Sequence, residues 1–164
     1  MTDRQQVTRR LVFVAVLACA LPPPAASQDV PEGLARFQLL NECKPMGLVV
    51  DPLPPDAAAI SLTQERIRTL AENRLRAARL FSDDLLPTYL QVNVKVLRLA
   101  FAVDFRFNKL LYDPVSNEAW PAATWGHGAA GPHASDGDYV LQHLSETMDQ
   151  FLLEYLRVNE DACR

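Results

Sequence analysis

Between residues 89 and 112 apolar and polar positions alternate with a period of two, the one long stretch of the chain that does so. Leu90, Val92, Val94 and Val96 are apolar, with Gln91, Asn93 and Lys95 between them. Successive side chains of a strand point to opposite faces, so this half has one dry face and one wet face. The phase then flips. Leu97, Leu99, Phe101, Val103, Phe105 and Phe107 are apolar, while Arg98, Asp104 and Arg106 fall on the other parity. A single strand cannot change phase without a bulge or a turn. It would also span about 80 Å at ~3.3 Å per residue, much wider than a domain of this size. The pattern predicts two antiparallel strands, 89–96 and 99–110, reversing near Leu97 and Arg98, with a strong bulge as the alternative.

The flanking segments supply the rest of a domain. Residues 46–50 (MGLVV) read as a first strand, ended by Asp51 and Pro52, with Pro54 and Pro55 marking a loop. Thr63 is a natural N-cap, and Leu62 and Ile67 stand where a hydrophobic staple would place them. Ile67, Leu70, Ala71, Leu75 and Ala78 then form one helical stripe, stopped by Asp83, Asp84 and Pro87. Residues 113–117 are a turn by composition. Residues 118–125 read as a third hairpin strand, confined by Pro121 to an edge or a bulge. Residues 126–137 (GHGAAGPHASDG) read as a long loop whose glycines serve positive-φ turns.

A long helix over 138–159 follows, capped by Asp136 or Asp138, with Leu141, Leu144, Met148, Phe151, Leu152, Tyr155 and Val158 on one face. Such a helix covers an open sheet face. The expected fold is a single α+β domain over 45–164, preceded by a mixed apolar segment at 28–44. Its sheet has about four mostly antiparallel strands with two helices on one face, in the order β-α-β-β-β-α.

The N-terminus changes the picture of where this domain works. Arg4, Arg9 and Arg10 precede an apolar run at 11–21, too short to span a bilayer, followed by Pro22, Pro23, Pro24, Ala25, Ala26 and Ser27. A basic region, a short apolar region and a small-residue site make an export signal over 1–27. Two processing routes are open. Cleavage after Ser27 releases a soluble periplasmic protein. Alternatively, residues 16–19 (VLAC) resemble a lipobox, and lipidation of Cys19 tethers the domain to a membrane. Either route leaves Cys43 and Cys163, two thiols that an oxidising compartment would pair. Such a bridge would tie the front of the domain to the end of the chain.

Candidate chemistry is sparse. The formal net charge of −4 argues against general nucleic-acid binding, which needs a basic footprint. His127, His133, Asp136 and Asp138 gather in or near the glycine-rich segment. Imidazole and carboxylate are zinc ligands, yet the spacing from His127 to His133 fits no compact site, so no metal and no cofactor is assigned. Phosphate-loop and nucleophile-elbow patterns are missing. Arg66, Arg68, Arg74, Arg76 and Arg79 crowd the first long helix; they read as a solvated face, or as a surface for an anionic partner. Trp120 and Trp125 are five apart and face opposite sides if no bulge intervenes, which puts Trp125 on the core and Trp120 partly outside. The candidate partner contacts are Trp120, His127, His133, Arg66 and Arg76.

Residues 124–126 (TWG) with His127 and Gly128, and residues 151–163 (FLLEYLRVNEDAC), resemble small uncharacterised exported proteins of proteobacteria. The element order resembles the small α+β domain at the N-terminus of TolB and in other envelope assembly proteins, a likeness of fold that implies no activity. The resulting expectation is a non-enzymatic envelope protein that binds or assists a protein partner. The alternatives are a periplasmic hydrolase or metal-binding protein using the 126–138 loop, and an anchored structural subunit.

Overall fold

The structure, a computed structural model, describes residues 31–84 and 86–164. The expected export signal, Cys19 and the two processing routes lie outside the described residues.

The elements run α1 (Glu32–Leu39), β1 (Gly47–Val50), a 3-10 helix (Pro55–Ile60), α2 (Gln64–Ala77), β2 (Tyr89–Val96), β3 (Ala100–Asp113), β4 (Glu118–Pro132) and α3 (Gly137–Val158). They build one α+β domain around a four-stranded open sheet in the order β1-β2-β3-β4. The sheet is mixed. β1 runs parallel to β2, and β2–β3 and β3–β4 are antiparallel.

The phase flip is a reversal. Val96 pairs with Phe101, and the turn between them is closed by the Leu97 N–H donating to the Ala100 carbonyl at 2.8 Å. Both strands then turn their apolar rows to one face. Leu90, Val92, Val94 and Val96 lie beside Phe101, Val103, Phe105 and Phe107, all buried. Against them pack Ile67 and Leu75 of α2 and Val140, Leu144, Met148, Phe151 and Tyr155 of α3. The other parity, Gln91, Asn93, Lys95, Asp104 and Arg106, lies on a face that none of the described helices covers.

Both long helices begin on side-chain caps. Thr63 Oγ1 accepts from the Arg66 N–H, and Asp136 Oδ1 accepts from the Asp138 N–H. At the far end of α3, Asn159 clasps the N-terminal segment. Its Oδ1 accepts from the Asn41 N–H at 2.8 Å, and its Nδ2 donates to the Leu39 and Tyr155 carbonyls. Cys43 and Cys163 form a disulfide beside this clasp, with Cα atoms 5.2 Å apart.

Three expectations change. Residues 126–132 are the second half of β4 and not a loop, which leaves only 133–136 to connect β4 with α3. Glycine and alanine carry no apolar alternation, so pairing with β3 makes this strand where intrinsic preference would not. The glycines also serve a different purpose. None of the described glycines has a positive φ. At Gly128 a Cβ would lie 2.5 Å from the Val103 carbonyl oxygen, so the requirement there is close approach. Lastly, the segment before β1 contains a helix, α1, held from outside. Lys109 Nζ donates to the Phe37 carbonyl, and Thr124 Oγ1 donates to the Gln38 carbonyl at 2.6 Å.

Candidate partner-binding surface

β3 and β4 continue past the helices as a two-stranded ribbon. No residue from Leu110 to Pro121 is buried. Along this arm Leu111 pairs with Trp120, Tyr112 with Ala119, and Leu110 with Pro121. Trp120 is 69% exposed and Val115, in the connecting turn, 93%. Leu110 and Tyr112 are exposed as well. Isolated exposed apolar residues are ordinary; this narrow arm carries several large ones, Leu110 and Tyr112 on one of its faces and Trp120 on the other.

A bulge decides how the arm presents Trp120. Phe107 pairs with Trp125 but Asn108 pairs with Ala123, which leaves Thr124 as the extra residue. The phase of β4 shifts there. Trp120 and Trp125 therefore share the face toward the helices, since their partners Leu111 and Phe107 are an even number of positions apart. Trp125 is buried against Phe151 and donates its indole N–H to Glu154 Oε2 at 2.7 Å. Trp120 shares that face beyond the helices. Its N–H is taken by Glu118 Oε2 at 3.0 Å, which leaves the ring to face outward.

The turn is held open by its own hydrogen bonds. Asp113 accepts from the Val115 N–H at 2.9 Å and from Ser116 Oγ at 2.8 Å. These bonds, the backbone one foremost, hold its carboxyl below the ordinary carboxylate range. Tyr112 donates its phenol to Asn117 Oδ1 at 2.8 Å. At the ribbon's base Phe37 of α1 is exposed, and the Lys109 ammonium lies 5.6 Å from the centre of its ring. Burial lowers the Lys109 pKa.

The other candidate contacts lie elsewhere. His127 is exposed on β4, its ring stacked 6.1 Å from that of Trp125. His133 is 3% exposed. Its Nε2 donates to the Leu97 carbonyl at 2.7 Å, while its Nδ1 accepts from the Ser135 N–H at 3.0 Å, which fixes one neutral tautomer. The ring ties the β2–β3 reversal to the turn at Ala134 and Ser135, both at positive φ, and presents no surface to a partner. Arg66 binds the Ser61 carbonyl and Asp138, joining α2 to the start of α3. Arg76 pairs with Asp83 at 3.2 Å and lies over the Phe81 ring. Arg74 meets Asp149 at 2.9 Å. Among the described residues no three His, Cys, Asp or Glu side chains group as a metal site would need.

The polar face of the sheet carries a hollow of about 390 Å³ lined by Asp51, Gln91, Asn93, Lys95, Asp104 and Arg106. Its carboxylates are engaged. Asp51 accepts from Gln91 and Asn93, and Asp104 from Arg106 at 2.7 Å. No helix of the described residues is long and apolar enough to cross a membrane.

Sequence reasoning singled out Trp120 but missed Leu110 and Tyr112, which fall on the polar parity of the alternation, and Val115, which sits inside the turn. The signal available was the turn at 113–117, which places them near a hairpin tip.

No family model and no curated protein matches the chain. Among solved structures it is similar to a PelC dodecamer from Paraburkholderia phytofirmans, with a TM-score of 0.39 and 16% identity, covering 69% of this chain and 87% of that one. A likeness of that size carries no argument about this chain.

Proposed function

We propose that this chain is an exported, non-enzymatic protein of the cell envelope that binds a protein partner through the outer part of the β3–β4 ribbon. The observation that carries the reading is the set of large apolar side chains, Trp120, Leu110, Tyr112 and Val115, exposed on one arm with no core beneath them. Tryptophan and tyrosine dominate the energetic centres of protein interfaces. The acidic residues at the turn, Asp113 and Glu118, favour a protein over an anionic membrane surface.

Two further features support the reading. The disulfide suits the oxidising compartment that an export signal over 1–27 would lead to, with the periplasm as the proposed location. The arginines of α2 and the buried histidine are occupied by intramolecular contacts, which moves the proposed contact away from them and onto the ribbon. The proposed kinship remains with small exported proteins of proteobacteria and with the TolB-type domain.

Cross-linking pulldown from the native envelope tests this. A reproducible protein partner is expected with the wild type and is expected to be lost in Trp120→Ala. Retention of the same partner by Trp120→Ala and by Tyr112→Ala would move the contact off the ribbon.

A further inference from the structure

Among the described residues β4 is an outer strand of the sheet, and its free edge is exposed at Gly126, Gly128 and Ala130. The backbone groups on that edge follow from β3. The Leu97 N–H donates to the Ala100 carbonyl, so Ala100 and every second residue after it turn toward β2. Phe101, Val103, Phe105 and Phe107 therefore turn toward β4, where they pair with Gly131, Ala129, His127 and Trp125. The bond from Thr124 Oγ1 to the Phe107 carbonyl agrees with this sense. The residues in between, Gly126, Gly128 and Ala130, aim their N–H and C=O groups away from the sheet.

Pro121 and Pro132 pair with Leu110 and Ala100 and so belong to the same outward class, where a missing N–H costs the β3–β4 ladder nothing. They bracket an open stretch. Unpaired edges are templates for another strand, and proteins commonly block them with charge, bulges or covering loops. From Ala119 to Pro132 this strand carries no Asp, Glu, Lys or Arg. The opposite edge, β1, is four residues long.

We infer that the 126–130 edge pairs antiparallel with the same edge of a second copy of this chain, about a two-fold axis at Gly128. In that register Gly128 faces Gly128, and Gly126 faces Ala130 in both directions. Every outward N–H and C=O of these residues gains a partner. His127 of one copy lies opposite Ala129 of the other, so the two imidazoles are not opposed. The outward residues are glycine and alanine on both copies, so no side chain holds the strands apart and no charge is buried. A two-fold contact of this kind closes on itself. It joins the two sheets into one, with both polar faces on the same side. This inference does not depend on the ribbon's role.

Sedimentation of the purified full chain, disulfide intact, tests it. A dimer is expected across the micromolar range. Ala130→Pro and Ala130→Lys are each expected to give monomers whose unfolding midpoint equals that of the wild type diluted until it is monomeric, because Ala130 is exposed and makes no ladder bond to β3. The lysine variant serves if the proline variant fails to fold. Mixing Gly126→Cys with Ala130→Cys under oxidising conditions should cross-link the two chains, while each alone should not. A wild-type monomer at every concentration would overturn the inference. So would a dimer that persists in both Ala130 variants, or one lost on Trp120→Ala but kept in Ala130→Lys.

Discussion

Gly128 shows how a single residue sets the spacing of two strands. A methyl group there would meet the Val103 carbonyl oxygen at 2.5 Å, and both are backbone-held. At Gly126 the nearest atom to a built Cβ is the Phe105 carbonyl oxygen at 3.6 Å, an ordinary contact. Gly128→Ala is expected to destabilise the fold by about 1–3 kcal/mol, the usual range for overpacking. Gly126→Ala is expected to be neutral or to stabilise by about 0.4–1 kcal/mol through the unfolded chain. Urea denaturation of the pair gives the comparison, and equal midpoints would refute the close-approach account. Neither requirement was legible in the sequence, where both glycines suggest turns.

Tyr155 offers a test of the core by pH. Its side chain is buried, its phenol receives a hydrogen bond from Asn41 Nδ2 at 3.3 Å, and burial raises its pKa above the ordinary value of 10.0, with the Asn41 bond opposing the shift. Above pH 10 the unfolded chain loses this proton while the folded chain keeps it. The unfolded state then binds fewer protons, so this group's contribution to stability falls as pH rises through that window. Unfolding midpoints of wild type and Tyr155→Phe should diverge from near neutrality to that alkaline range, with the phenylalanine variant losing less. Parallel pH profiles would remove Tyr155 as the cause.

At the scale of elements, strong periodicity was readable and tertiary support was not. The alternation at 89–107 and its phase flip gave β2, the reversal and most of β3. The stripe behind Thr63 gave α2, and the run from Leu141 to Val158 gave α3. α1 has eight residues, too few to be stable alone. It is pinned by Lys109 and Thr124, residues far away in sequence, so no local pattern could announce it. The second half of β4 depends on its partner strand in the same way. The bulge at Thr124 reversed the expected relation of the two tryptophans while leaving Trp125 inside and Trp120 outside.

The ribbon is the element on which function is proposed, and stability and binding should separate there. Trp120→Ala removes an exposed ring and should change unfolding free energy by no more than ~0.5 kcal/mol. It should nevertheless weaken partner binding by ~10-fold or more, as loss of an aromatic hot spot does. Equal loss in both measurements would mean that Trp120 acts through the fold.

For the whole molecule, the disulfide and the Asn159 clasp perform one task, tying residues 39–43 to the end of α3 and the residues after it. The bridge spans a sequence separation of 120 residues. In the chain-entropy model a loop of that length contributes at most about 4–5 kcal/mol. Reduction, or the Cys43→Ser and Cys163→Ser pair, should lower the urea midpoint markedly, while the clasp keeps the fold assembled in the absence of denaturant. An unchanged midpoint on reduction would show that the bridge leaves the unfolded chain unconstrained. The two cysteines were legible because few others compete for pairing. Where the molecule meets its partner was only half legible, since exposure on the ribbon depends on where the helices stop.

Site-specific photo-cross-linking in the native envelope tests the central claim most directly. A photoreactive residue placed at Trp120 or Tyr112 should form a covalent adduct with one partner protein, and the same residue at Lys95 on the polar face should not. Adducts from position 95 with none from positions 112 and 120 would contradict the account.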